Sequence, residues 1–494
     1  MFICLPLVIL FSIFPLTDTD IWWHLACARE WVTTWTPVRA PIVNVHEYFQ
    51  LVVGFVYSLG GAPLLVAFKA VLWGVVFVLF LCPAKRFRLK FSIVLVILFL
   101  FRYHFEIRPV LFSLLFLGVY WNIFPRFFLL RHSEPRRGDA IHKLVVAIVL
   151  LVIQWLWCKC QGLYIMGPIF ATLVLCASLL ESKKQGGLCA KTIAPQVVFV
   201  LLLWLMPFLH REGLALFLYP FGLLDRLLGL TPSAAVFASQ IAENRSPITL
   251  LMAGENVLES LLMVVLCAVG IVVGIRGLVL KNCHPERNAV RHVVEGSKYQ
   301  WLLITALLAL IAERNFVLFL PVLFHNYQTL ITNQFRIPNS EFRIISLVFR
   351  LSSLVCIAFL LGLWVRSLSA YDMSMVAYQR VPVDAAVWMA NHPHSGRLFN
   401  DDRAGGYLAL MNPADSIYID GRFILKTADF FERYLNYAEN PALFMHDADS
   451  LGVDRALFPL RYYARWDNLM LALDKASRWR LVYRDEYFAV FDKN

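Results

Sequence analysis

The residues best suited to chemistry lie in one short stretch, LTDTDIWWHLACAREWV, from Leu16 to Val32. Asp18 and Asp20 stand two apart, followed at once by Trp22, Trp23 and His24. Two carboxylates this close repel one another unless a cation, a base or a substrate hydroxyl is near them. A carboxylate next to a hydroxyl is what general base catalysis needs. His24 follows Asp20 at i, i+4, where side chains on a helix meet.

Other polar residues gather at the ends of apolar runs. His46 and Glu47 follow in the same loop, and Arg102, His104, Glu106 and Arg108 join two further runs. Lys159 and Gln161 close another, Glu243 and Arg245 lie in a long connection from 211 to 258, and Arg314 stands beside Asn315. Ionisable groups at a bilayer are costly and tend to mark function. A shared cavity lined by acids and bases is the economical reading. The bland alternative covers some of the set: tryptophans form belts at any membrane interface, and lone basic residues at span ends reach for water. Arg102 and Lys159 read that way. The aspartate pair does not, because carboxylates gain nothing from the positive-inside rule.

Composition identifies the elements that must position these groups. The chain has 494 residues, 59% of them hydrophobic and 16% charged, with mean hydropathy +0.64. Such values belong to an α-helical polytopic membrane protein. A hydrocarbon core of about 30 Å takes ~20 helical residues. Apolar runs fall at the opening segment and near 62–82, 91–103, 109–124, 144–160, 163–180, 195–210, 259–280, 300–312, 315–332 and 344–366. That predicts about eleven spans in a single bundle over residues 1–366. The opening run lacks a basic n-region and a small-residue cleavage site, so it reads as a short first span rather than a signal peptide.

Every second loop is basic. Lys85, Arg86, Arg88 and Lys90 form one group, and Arg126, Arg131, Arg136, Arg137 and Lys143 the next. Lys183, Lys184 and Lys191, then Lys281, Arg287, Arg291 and Lys298, then Arg336 and Arg343 continue the alternation. The positive-inside rule places these loops and the N-terminus in the cytoplasm, and the aspartate pair with its companions outside. The net charge of +11 is therefore a topology signal, and no basic stripe or motif points to nucleic acid. The ten cysteines lie between Cys4 and Cys356, which implies no disulfide framework for the tail. Cys158 and Cys160 read as apolar packing rather than metal ligands.

From residue 367 polar and apolar residues mix. VPVDAAVWMANHP reads as helix, GRLFN and DSIYIDG as strands, TADFFERYLNYAENPALFMHDADSLG as helix, and VDRALFPL, WRLVYRDEY and FAVFDK as strands. The pattern predicts a small α/β extracytoplasmic domain over 367–494.

The motifs now carry a resemblance. DTDIWWHLACAREWV resembles the DPDxWWHLxxGxW signature of a bacterial family of polytopic membrane proteins within the GT-C superfamily of glycosyltransferases. HEYFQLVVGFVYSLGGAPLLVAFKAV, RPVLFSLLFL, ERNFVLFLPV and GGYLALMNPADSIYIDGRFILKTADFFERY are similar to further family segments in the same order. There are departures: the family's WxNxHGG is WCKCQGLY here, so that Lys159 or Cys160 and Gln161 replace Asn and His, and Thr19 replaces the proline of DPD.

The resemblance implies a GT-C-like fold and transfer of a sugar from a polyprenyl-phosphate-linked donor to an envelope glycan, lipid or protein at the outer face of the bacterial cytoplasmic membrane. It makes a first-loop acid the base. Asp20 is the choice because it directly precedes the aromatic–histidine run, with Asp18 orienting the acceptor or binding a divalent ion and His24 assisting. Arg108 and Arg314 would grip the leaving phosphate, because a guanidinium fork suits it; the plain alternative is that they pair with Glu106 and Glu313 or reach for water. Trp22 and Trp23 would stack on sugar or lipid, and His46, Glu47, Gln161, Glu243 and Asn315 would line the cavity. Asp420 and Arg422 of YIDGR would close over it; the plain alternative is a strand ending in a glycine turn with a local Asp–Arg pair. The sequence demands no cofactor, and Mg or Mn would take Asp18 and Asp20. The competing classes are a lipid-sugar transporter, which predicts inverted repeats and mid-span charges such as Lys69, and a scaffold of envelope glycan assembly.

Overall fold

The computed structural model describes residues 4–81, 91–127, 137–184, 190–282, 289–334, 343–369, 371–461 and 464–494. The basic residues Lys85, Arg86, Arg88, Lys90, Arg131, Arg136, Arg287 and Arg336 lie outside them. All eleven expected apolar runs fold as helix, from Cys4–Phe11 to Arg343–Leu368. Among the described residues four helices are long and apolar enough to cross a membrane: Glu47–Leu81, Ile141–Cys158, Gly162–Leu180 and Val257–Val279. Ile193–Leu209 and Gly213–Leu228 meet at 104° and make a fifth if counted as one broken span. Pro109–Phe124, Gly296–Ile311 and Leu354–Leu368 are apolar but shorter.

Helix is the state these runs must take, since backbone groups in lipid have only their own chain to bond. Large apolar side chains remain exposed along the outer faces, among them Phe55, Leu59, Ile141, Leu180 and Val272. Such a surface suits lipid rather than water. The helix expected at 62–82 begins at Glu47 instead, and its axis breaks at Gly60 and Gly61 ahead of Pro63. The connection 211–258 is itself helical over Gly213–Leu228, Pro232–Gln240 and Pro247–Met252.

The C-terminal section carries one four-stranded sheet: β1 Arg397–Asn400, β2 Val453–Pro459, β3 Trp479–Arg484 and β4 Phe488–Lys493, in the order β1-β2-β4-β3. β1 and β2 are parallel, with Phe399 opposite Ala456, and β4 runs antiparallel to both neighbours. The predicted helix over 427–452 is two helices, because Asn440 caps a new start with Pro441 behind it, and Gly452 ends it in a left-handed turn. Two helices, Asp402–Met411 and Asp467–Lys475, are not evident from the sequence pattern.

DSIYIDG is not a strand of this sheet. Asn400 takes the place of a partner strand: its side chain accepts from the Tyr418 amide at 2.8 Å and donates to the Ile419 carbonyl at 2.8 Å. On its other side Ile417 bridges Thr34 of the first outer loop. Lys426 strengthens that joint by donating to Thr34 Oγ1 at 2.7 Å and Thr36 Oγ1 at 2.6 Å. One apolar core runs from Leu7 and Trp22 through the bundle to Val381, Leu398 and Val490. The segment between Cys4–Phe11 and Glu47–Leu81 is thus clamped between the bundle and the C-terminal section.

Candidate active site

Asp18 lies just before the short helix Asp20–Arg29, Arg108 just before Pro109–Phe127, and Glu243 in the turn Ala242–Asn244. Folding brings all three together. Arg108 donates through Nε and Nη2 to Asp18 Oδ2 and Oδ1, both at 2.8 Å, and through Nη1 and Nη2 to Glu243 Oε2 and Oε1, both at 2.7 Å. One guanidinium therefore grips a carboxylate along each of two edges. The Asp18 side chain is 3% exposed and that of Glu243 43%. Burial alone would raise the Glu243 carboxyl, but the charge and hydrogen bonds of Arg108 outweigh it and hold it down at about 2.

This geometry corrects two expectations. Arg108 has four donor contacts on carboxylates, so its fork is not open to a phosphate. Asp18 has both oxygens committed to Arg108 and also accepts from the Asp20 amide at 3.3 Å, which leaves it unsuited to a divalent ion or an acceptor.

Asp20 is the first residue of its helix and half-buried. Among the described residues no cation is hydrogen-bonded or ion-paired to its carboxylate. Burial, with Asp18 beside it, pushes the carboxyl up to about 7; Arg108 pulls the other way. Gly421 of the YIDGR turn packs directly on this group, and a Cβ there would overlap Asp20 Oδ1. Gly406 makes a similar close approach further along the helix, where a Cβ would lie 2.8 Å from the Trp23 amide nitrogen. These two glycines let the C-terminal section press against the Asp20 helix.

The aromatic pair divides. Trp22 is fully buried, edge-on to Tyr407 at 4.9 Å and Tyr57 at 6.3 Å, so it packs the core and is no platform. Trp23 stacks on His24 at 3.5 Å and lies under the Arg422 guanidinium at 5.6 Å. His24 does not pair with Asp20. Its ring sits against His46 and Phe49, at 5.2 and 4.9 Å, and its Nδ1 has no hydrogen-bond partner. Burial first, then His46, Arg422 and Arg108, keep it neutral. His46 contacts the Cys160 carbonyl at 3.3 Å, and burial draws it down to about 4.

Asp420 and Arg422 are each buried and form a local pair, Nη2 to Oδ2 at 2.5 Å, with the guanidinium also over Trp31 at 4.9 Å. They brace the wall beside Asp20. Lys159 does not reach for water: it is buried, with Glu47 at 3.0 Å and Glu212 at 2.6 Å. Gln161 is half-buried and bonds through its backbone, to Trp157 and Tyr164. Asn315 is buried with its amide on the Leu308 carbonyl at 3.0 Å, a structural role rather than a ligand's. Arg314 is exposed, bonded to the neutral Asn244 side chain at 3.0 Å, and acts on the charges of both Glu243 and His46. Lys69 has a structural explanation: it meets Glu106 at 4.0 Å and the Phe14 carbonyl at 3.1 Å, and Thr17 donates to the same Glu106.

One further group is not apparent from the sequence. His104, Glu259 and Glu313 offer ligand atoms within 4.8 Å of one another, His104 Nε2 and Glu259 Oε1 at 2.6 Å, and a cavity of about 360 Å³ opens beside Phe101, Asn256 and Glu259. An imidazole and two carboxylates form a donor set that fits a divalent cation. Of the three, His104 stands among the polar residues that the sequence singles out, while Glu259 is an acid in the first turn of an apolar helix.

No protein-family model and no curated protein matches the sequence. Solved structures do resemble it. The archaeal oligosaccharyltransferase AglB from Archaeoglobus fulgidus, solved with an inhibitory peptide and a dolichol-phosphate, is similar over 99% of this chain and 74% of its own, with TM-score 0.53 and 12% identity. An Archaeoglobus fulgidus oligosaccharyltransferase in complex with Zn and sulfate gives TM-score 0.51 at 12% identity over 99% and 73% of the two chains. ArnT from Cupriavidus metallidurans in the apo state stands lower, at TM-score 0.39 and 14% identity over 99% and 96%. Along nearly its whole length the chain shares the fold of the archaeal oligosaccharyltransferase.

Proposed function

We propose that the chain is an inverting membrane glycosyltransferase that moves a sugar from a polyprenyl-phosphate-linked donor to an envelope glycan, lipid or protein on the outer face of the bacterial cytoplasmic membrane. The fold supports the class, and the dolichol-phosphate bound to AglB supports a lipid-phosphate donor. One observation carries the assignment of the base: of the two first-loop acids, Asp18 is neutralised by Arg108 while Asp20 is left without a cation. A carboxyl raised toward neutrality is a stronger base than an ordinary aspartate and still ionises at physiological pH.

Asp20 Oδ takes the proton of the acceptor hydroxyl as its oxygen attacks the anomeric carbon. The bond from that carbon to the lipid phosphate breaks on the opposite face, and the phosphate leaves with the bonding pair. A single displacement inverts the anomeric centre. Arg314, exposed and held only by Asn244, is the guanidinium available to meet the phosphate charge. Trp23, 6% exposed and held between His24 and Arg422, offers no open face to a sugar. His104, Glu259 and Glu313 would hold a divalent cation if the reaction uses one, to offset phosphate charge.

The experiment compares envelope glycans and lipid-linked sugars by mass spectrometry with and without the gene, and tests transfer in detergent extracts. The proposal expects deletion to remove one sugar increment and its donor to accumulate, with transfer absent from solubilised extracts as well. Transfer that persists in extracts lacking the chain would instead favour a transporter.

A further inference from the structure

We propose that the Arg108 guanidinium is a built-in substitute for a divalent cation between Asp18 and Glu243, and that removing it turns these two carboxylates into a metal site. The inference is independent of the transfer reading. It rests on geometry: two carboxylates from segments remote in sequence meet at one point, an arrangement that is otherwise a common divalent-ion donor set. Here the positive charge is covalently bound into the chain.

The substitution is complete at the level of donors. All four carboxylate oxygens lie 2.7–2.8 Å from a guanidinium nitrogen, and Nη2 touches one oxygen of each acid, at 2.8 and 2.7 Å. An ion placed near Nη2 would need each oxygen drawn in by only a few tenths of an ångström to reach the roughly 2.3–2.6 Å of a calcium bond. A lysine could not serve, since a point charge lacks the second edge. The Asp18 side chain is 3% exposed, and Arg108 is the cation that meets it.

The test is Mn2+ binding by electron paramagnetic resonance, with melting temperature, on the purified full-length chain in detergent. A Glu259→Gln background removes the separate His104 group. With Arg108 intact, no Mn2+ should bind at a site that Asp18→Asn abolishes. Arg108→Ala should gain one Mn2+ site and melt higher with Mn2+ than without, and adding Asp18→Asn should erase both gains. Mn2+ bound through Asp18 beside an intact Arg108, or a folded Arg108→Ala protein that gains no site, overturns the proposal. Should Arg108→Ala not fold, Arg108→Gln is the second variant. If neither folds, recovery of either by Mn2+ during solubilisation supports the substitution, and failure to recover both overturns it.

Discussion

At the scale of residues, the two aspartates of DTD have opposite fates, and energetics follow from that. Removing one partner of a buried ion pair costs about 3–5 kcal/mol, because the other charge is left stranded. Arg108→Ala should therefore lower stability toward that range through Asp18, and Arg108→Lys should recover only a fraction of it, read by thermal unfolding in detergent. Asp20 predicts a pH effect of the other sign. Its folded value, about 7, lies above the ordinary 3.8, so the fold prefers it protonated. The stability cost sets in as pH rises past about 4 and is complete above about 7. Asp20→Asn should raise the melting temperature more at pH 8 than at pH 5; equal gains at both would contradict the raised value. Glu243 runs the opposite way, its contribution present above about 4.5 and lost as pH falls toward 2. The types of these residues and their place at the ends of apolar runs were legible in the sequence. Their pairing was not, because Arg108 finds its partners 90 and 135 positions away, and no local pattern records that.

At the scale of elements, apolar runs were readable because lipid leaves a backbone few options, although Glu47–Leu81 and Ala289–Ile311 begin well before the expected limits. The misreadings share a cause in tertiary context. DSIYIDG alternates like a strand, but its bonding partners are the Asn400 side chain and Thr34. GGYLALM carries no evident helix pattern, yet Gly406 lets Asp402–Met411 lie against the Asp20 helix. Gly406→Val should cost about 1–3 kcal/mol through overpacking. Gly421→Ala should reduce transfer more than it reduces stability, since the added methyl displaces the Asp20 carboxylate itself. Parallel losses in both readouts would place Gly421 in the scaffold only.

At the scale of the whole molecule, several of the polar groups at the ends of apolar runs meet in the fold, Asp18 with Arg108 and Glu243, Lys159 with Glu47, and Arg314 with Asn244. Loop charge proposes a side for them and does not say which groups touch. In a chain whose native cysteines are replaced, single cysteines at the exposed Ser239 and Ser395 should label with an impermeant maleimide on intact cells, and one at the exposed Lys183 only after permeabilisation. Labelling of Ser395→Cys only from inside would invert the topology and remove the donor site from the outer face. Gly406 and Gly421 pack on the Asp20 helix, so a motif near the start and another beyond residue 400 meet in the fold.

The most direct test of the account is the lipid-linked sugar pool and the finished glycan, measured together by mass spectrometry in cells carrying Asp20→Asn at the normal protein level. The account predicts that the glycan lacks the sugar, that the lipid-linked donor accumulates as in the deletion, and that Asp18→Asn is harmful chiefly through lower protein level. A glycan indistinguishable from that of intact cells, with no donor accumulating, would contradict Asp20 as the base.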